Sequence, residues 1–204
     1  MNKNFIAGGC SFTFGHELSD DDEGKKPSKQ SWAHRLLINS NNTDHYICVA
    51  RPGSGNPGIA RRVFNAVANT KDISCVVVMW SFLSRYDWAM PRHSNLEDTR
   101  WATISPWDTK MAKGERHNAL AGSEAHQEEW KRRDDLLVNT GVKPLADTIY
   151  RHAANEYHET YLSWKSIIWL QNILEKKKIP FMFTLADNSL FYKSLDHHKD
   201  QDPF

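Results

Sequence analysis

The feature that most constrains this chain is the segment Ile73–Trp80, whose residues from Cys75 to Trp80 form an unbroken apolar run. A strand with one face in water alternates apolar and polar side chains. This segment does not alternate, so it must be covered on both faces, as in a parallel sheet packed between helices. Three shorter apolar runs have the same character and end in turn residues: Phe5–Gly9, Tyr46–Ala50 and Ile179–Leu185. Between them lie segments with helical periodicity. Ser31–Leu37 begins one helix, with Ser28 or Ser31 as its cap, and Ile59–Ala68 forms a second. Pro144–Lys178 forms a third, broken once, with Trp164, Ile167, Ile168, Leu170, Ile173 and Leu174 as its apolar face. Strands alternating with helices predict an α/β protein, a three-layer α/β/α arrangement. Its parallel sheet should contain strands near 4–8, 45–49, 73–80 and 179–185.

The rhythm fails between about 86 and 143. Trp88, Trp101, Trp107 and Trp130 sit there among prolines and charges with no stable period. This stretch reads as a long polar insertion with short helices, such as Ala125–Val138, within one domain spanning 1–204. Its tryptophans could stack on sugars or bases, form a small core or make a subunit contact, and the sequence leaves these open.

Charge narrows the partners. Lys plus Arg is 26 and Asp plus Glu is 25, a formal net charge of +1, so no general grip on nucleic acid or an anionic membrane is expected. No apolar run is long enough to cross a bilayer, and Met1–Asn4 leads into too few apolar residues for a signal peptide. The three cysteines, Cys10, Cys48 and Cys75, read as reduced, buried thiols of a cytoplasmic protein. The mean hydropathy of −0.64 implies a very polar surface.

Ligands of parallel α/β sheets bind beyond the carboxyl ends of the strands. The informative turns are therefore Gly8–Leu18, Ala50–Asn56 and Trp80–Arg85. The first is not a Walker-type phosphate loop, because His16 rather than lysine follows Gly15. Nor is it a cysteine-phosphatase loop, which needs arginine where His16 stands. A Ser/Thr phosphate loop of a flavin-binding module rests on Ser11 and Thr13 alone, and a colourless protein would exclude it. The remaining reading is a nucleophilic serine placed directly after the first strand.

Gly9-Cys10-Ser11-Phe12-Thr13-Phe14-Gly15 resembles the first block of the SGNH (GDSL-like) hydrolases, Gly-Asp-Ser-x-Thr-x-Gly, with Cys10 in place of aspartate. The resemblance implies a flavodoxin-like parallel sheet and puts Ser11 at the family's nucleophile. It also implies that Gly53, after the second strand, donates its backbone N–H to an oxyanion, with Gly55 as second choice. The third block, usually Gly-x-Asn-Asp, is replaced by Trp80-Ser81-Phe82-Leu83. Phe82 cannot donate a hydrogen bond, so Asn56, Ser81 and Arg85 are the side chains available as second oxyanion donor, and Asn56 is the candidate. The closing Asp-x-x-His block, which carries the general base, is missing. Asp196-His197-His198 has the wrong spacing. The expectation is a chain truncated at its C-terminus.

Each residue also has a plainer reading. Ser11 could cap a helix, Gly53 and Gly55 could be turn glycines, and Cys10 a small buried side chain. His152 and Glu156 share a face of the predicted helix at i, i+4, and His158 lies off it, so a solvated face is expected rather than a metal site. The resulting expectation is an SGNH-like serine esterase or acyl hydrolase acting through a Ser11 acyl-enzyme, with little activity as this chain. Its substrate would be a small-molecule ester or acylated carbohydrate, and no metal or organic cofactor is implied. The alternative is a non-catalytic binding or structural protein that keeps the fold.

Overall fold

A computed structural model of the chain describes residues 3–20, 26–40, 43–90, 100–109, 135 and 138–188. The chain divides into two compact units, Met1–Leu83 with Glu156–Phe204, and Ser84–Asn155.

The first unit is built on a four-stranded sheet. Its strands are β1 (Asn4–Gly8), β2 (His45–Cys48), β3 (Ile73–Trp80) and β6 (Phe181–Leu185), in the order β2-β1-β3-β6. Every pairing is parallel, as the apolar runs require, and Ile6 lies between Ile47 and Val76. Pro180 has no N–H to donate, so β6 begins one residue later; the Pro180 carbonyl still accepts the Val76 N–H at 2.9 Å.

Alternate residues of the strands face opposite layers. Ile6, Val76, Val78 and Trp80 pack with α3 (Asn56–Asn69) through Ile59 and Val63, and with α5 (Glu156–Lys176) through Ile167, Leu170 and Leu174. Phe5, Ala7 and Val77 pack on the other face against Ala33 and Leu37 of α2 (Trp32–Asn39). Val76, Val77 and Val78 are 0%, 1% and 0% exposed, so β3 is covered on both sides. The unit is three-layer α/β/α.

Several boundaries depart from expectation. The α3 helix starts at Asn56, capped by Gly55 and with Pro57 in its first turn, so Asn56 belongs to a helix rather than to the preceding loop. The capping residue of α2 is Ser31, one of the two expected. The long helix breaks at Ala153–Asn155 into α4 (Val142–His152) and α5. On α5 the buried residues are Glu159, Ser163, Ser166, Ile167, Leu170 and Leu174, which fall on one helical stripe; Ile168, off that stripe, is 51% exposed. The thiols are all free, but only Cys10 is buried, while Cys48 and Cys75 are half-buried.

The Ser84–Asn155 unit holds strands that periodicity did not show. Strands β4 (Tyr86–Met90) and β5 (Arg100–Ile104) form an antiparallel ribbon in which Tyr86 faces Ile104 and Trp88 faces Ala102. A 3₁₀ turn at Pro106–Asp108 follows, closed by Asp108, whose Oδ2 accepts from both the N–H and the Oγ of Ser105 at 2.8 Å. Val142, Ala146 and Ile149 form the buried stripe of α4. The Tyr150 hydroxyl donates to the Ser84 carbonyl at 2.6 Å and lies 3.2 Å from that of Ile104. The helix expected over Ala125–Val138 falls, apart from Asp135 and Val138, outside the described residues. No helix among the described residues is long and apolar enough to cross a membrane.

Candidate functional site

The three informative turns all lie at the carboxyl edge of the parallel sheet, after β1, β2 and β3. In the first, β1 gives way within two residues to α1 (Ser11–Phe14), a single helical turn. Cys10 is its N-cap and Ser11 its first residue, so Ser11 does not serve as the cap. Gly9 is required here by close approach: a Cβ would stand 2.7 Å from Thr13 Cβ and 3.1 Å from the Met79 carbonyl. Thr13 is fully buried and accepts the Trp32 indole N–H on Oγ1 at 3.2 Å, anchoring the turn to α2. Gly15, at φ 76°, ends the turn in the left-handed region, its N–H bonded to the Ser11 carbonyl at 2.8 Å. With Cys10, Thr13 and Phe14 buried, Ser11 is left half-buried and Phe12 is 54% exposed.

The second turn is tied to the first. The Arg51 N–H donates to the Gly9 carbonyl at 3.1 Å, continuing the β1–β2 ladder past the strand ends. Ser54 folds the turn back, its N–H and Oγ–H donating to the Arg51 carbonyl at 3.2 and 2.6 Å. The Arg62 guanidinium donates to Ser54 Oγ and, at 3.1 Å, to the Val49 carbonyl. Gly53 is exposed at φ 80°, with open space where a Cβ would be. That is the conformation glycine tolerates best, and it leaves the turn open for another group to approach.

The third turn corrects the role expected of Asn56. This residue is fully buried. Its Oδ1 accepts the Ser81 N–H at 2.7 Å, and its Nδ2 donates to the Ser81 carbonyl at 3.1 Å and to Ser163 Oγ at 2.9 Å. An amide has two N–H protons, and both are committed. Asn56 therefore has no proton for an oxyanion; it latches the start of α3 to the turn after β3 and to α5. Sequence reasoning recognised a polar residue at the right turn but had no signal for the partner more than a hundred positions away. Beside this latch, the Phe82 ring meets the Phe12 ring, centroids 6.5 Å apart.

The remaining groups offer little competing chemistry. Burial raises the Cys48 and Cys75 thiols above their ordinary range, which disfavours the reactive thiolate. Burial likewise raises the Tyr46 hydroxyl. His152 ends α4 while Glu156 and His158 begin α5, so the single helix that would have joined them does not exist. Among the described residues no group of three or more His, Cys, Asp or Glu could hold a metal ion. His16 stays with the first turn, its backbone N–H on the Ser11 carbonyl at 3.1 Å. His197 and His198 lie outside the described residues.

The first unit thus defines a class: a parallel α/β/α protein with a serine on the turn after its first strand. No family model matches the chain, and no curated protein matches it. Among solved structures, it is similar to AlinE4, an SGNH-hydrolase family esterase. The TM-score is 0.41 at 10% identity, covering 90% of this chain and 58% of that one. A mutant of esterase AlinE4 gives 0.43 at 10% identity, covering 93% and 63%. The chain spans less than two thirds of the length of either structure.

Proposed function

We propose that the Ser11 turn is the nucleophilic centre of an acyl- or ester-hydrolase site, of the kind the Gly9–Gly15 motif resembles. The observation that supports this is the setting of Ser11. It stands half-buried at the carboxyl edge of the sheet, on a turn whose cap is another residue. In the proposed reaction Ser11 Oγ attacks the acyl carbonyl and its proton passes to a base. The ester C–O bond then breaks to give the alcohol and an acyl-serine, which water hydrolyses. The Gly53 N–H donates to the oxyanion. The substrate is a small-molecule ester or acylated carbohydrate; neither a nucleic acid nor a membrane takes part.

Phe82 cannot donate a hydrogen bond to this oxyanion site, and both amide protons of Asn56 are committed elsewhere. His16, His197 and His198 are the candidates for the base. The expected rate is correspondingly low, since removing one oxyanion donor costs about 10²–10³ in kcat. The test is a fluorophosphonate probe read by intact mass. Slow labelling of the wild type, abolished by Ser11→Ala, is the expected result, together with weak turnover of p-nitrophenyl acetate. A folded protein that never acquires the label at Ser11 would overturn the proposal. Brisk turnover lost in Ser11→Ala would show that a base is in place, and alanine variants of the three histidines would identify it. The second reading, a binding protein on this fold, is favoured by Phe82 standing where the SGNH motif has its asparagine.

A further inference from the structure

Phe12 is an anomaly in its own turn. Cys10 and Thr13 nearby are 0% exposed, Phe14 is 8% and Ser11 is half-buried, yet Phe12 is 54% exposed. Exposed single aromatics are common on protein surfaces. This one is paired. Its partner, Phe82, comes from the turn after β3, the strand next to β1 in the sheet, and the two rings tilt at 53° with centroids 6.5 Å apart. Both backbones are held from below. Gly9 and Thr13 pin the first turn, and the Asn56 bonds to the Ser81 N–H and carbonyl pin the residue before Phe82. Phe12, next to Ser11 in the chain, and the half-buried Phe82 therefore present a paired apolar surface at the carboxyl edge of the sheet.

We propose that Phe12 and Phe82 form the wall against which the acyl chain of the substrate lies, so that the site takes medium-chain acyl esters in preference to acetyl esters. The inference rests on the reading of Ser11 as the nucleophile and adds the class of acyl group. Its physical basis is the same fact that counts against a second oxyanion donor. An aromatic ring in place of an amide offers no hydrogen bond, but it offers apolar area to a chain leaving water. Each methylene buried against such a surface is worth about a fourfold gain in binding. An acetyl group is too short to use it. A six- to eight-carbon chain covers both rings and gains at least about tenfold over acetate even with partial burial.

The experiment separates this inference from the hydrolase reading because it needs no turnover. Binding of octanoate and acetate to the full chain and to its Ser11→Ala variant is measured by saturation-transfer NMR and by titration. Octanoate should bind at least about tenfold more tightly than acetate to both proteins. Phe12→Ala, at an exposed position, should remove most of that preference with the thermal midpoint unchanged. Phe82→Ala should do the same, and Phe82→Leu should keep part of it. Equal binding of the two acids, or a preference untouched by both alanine variants, would overturn the wall. Octanoate binding that depends on Phe12 in a protein whose Ser11 never takes the fluorophosphonate would leave the wall standing and remove the hydrolase.

Discussion

The two units hold their chains by different means. In the sheet unit, β1 pairs with β2 and β3, strands roughly forty and seventy residues further along, and the central strands β1 and β3 are largely buried between helices. Its polar contacts include exposed ones, such as Asp20 with Lys29 and Lys3 with Asp44, and a buried one, the Asn56 latch. In the Ser84–Asn155 unit the pairing is a local antiparallel ribbon. The fixing contacts are hydrogen bonds at its edges, Ser105 with Asp108 and Tyr150 with two carbonyls. Trp88, Trp101 and Trp107 of this unit are 49%, 38% and 53% exposed, whereas Trp80 of the sheet is 1%. The difference shows that a high tryptophan content is not by itself a core: Trp80 is sealed in the sheet, while others, Trp169 of α5 among them at 43%, lie exposed.

Truncating the sheet core tests this contrast most severely. Leu170 is fully buried among Ile59, Val63 and Trp80. Leu170→Ala should cost about 3–4 kcal/mol in urea unfolding, through lost transfer energy and the cavity left behind. Hydrogen exchange resolved by segment should show the loss in the sheet strands. Equal loss of protection in β4 and β5 would mean that the two units unfold as one, and the contrast would fail.

Next in size is Asn56→Ala. It leaves the Ser81 N–H and carbonyl and the Ser163 hydroxyl without their partner in a buried setting, at a cost of about 2–3 kcal/mol. Fluorophosphonate labelling of Ser11 in the folded variant should persist, since the Asn56 amide does not donate to the oxyanion. A stable variant that loses labelling by orders of magnitude would return Asn56 to the catalytic role.

A smaller effect belongs to the other unit. Tyr150→Phe removes a hydroxyl bonded to the Ser84 carbonyl and should cost about 1 kcal/mol, seen as faster exchange around Ser84 and β5. The sheet strands should be unaffected; a matching loss there would blur the division.

The smallest concerns acid. Asp20 accepts the Ser28 hydroxyl and, at 2.8 Å, the Lys29 N–H, and these bonds hold its carboxyl below the ordinary value of 3.8. A folded-state pKa below the unfolded one stabilises the protein above the unfolded value, and the contribution fades as pH falls through the folded one. Asp20→Asn should therefore lower the melting temperature slightly at neutral pH and not at all at the lowest pH where the fold survives. A deficit that persists unchanged in acid would exclude the charge as its cause.

The sheet was legible because burial on both faces leaves an unmistakable trace. Ile73–Trp80 is the covered strand its apolar run requires, and β1 beside it is buried likewise, while the edge strands β2 and β6 are only half-buried. The β4–β5 ribbon left no such trace. Tyr86 and Ile104 are buried, but Trp88, Ala89 and Trp101 are not, so no alternation of apolar and polar residues marks it. The site divided along the same line. Ser11 and Gly53 stand at the turns where they were expected, because turn chemistry is local: a serine after a strand, and a glycine at positive φ. Asn56 was misread because its role depends on Ser81 and Ser163, which no local pattern connects to it.

What the amino-acid order determined by itself was the set of parallel strands and the places where the chain must turn, since apolar runs and glycines act over a few residues. The tertiary structure alone decided which polar groups are spent. Whether an amide is a donor to substrate or a latch between helices depends on what lies opposite it in the folded chain. In this protein a serine 107 residues away occupies the proton that an oxyanion would have needed.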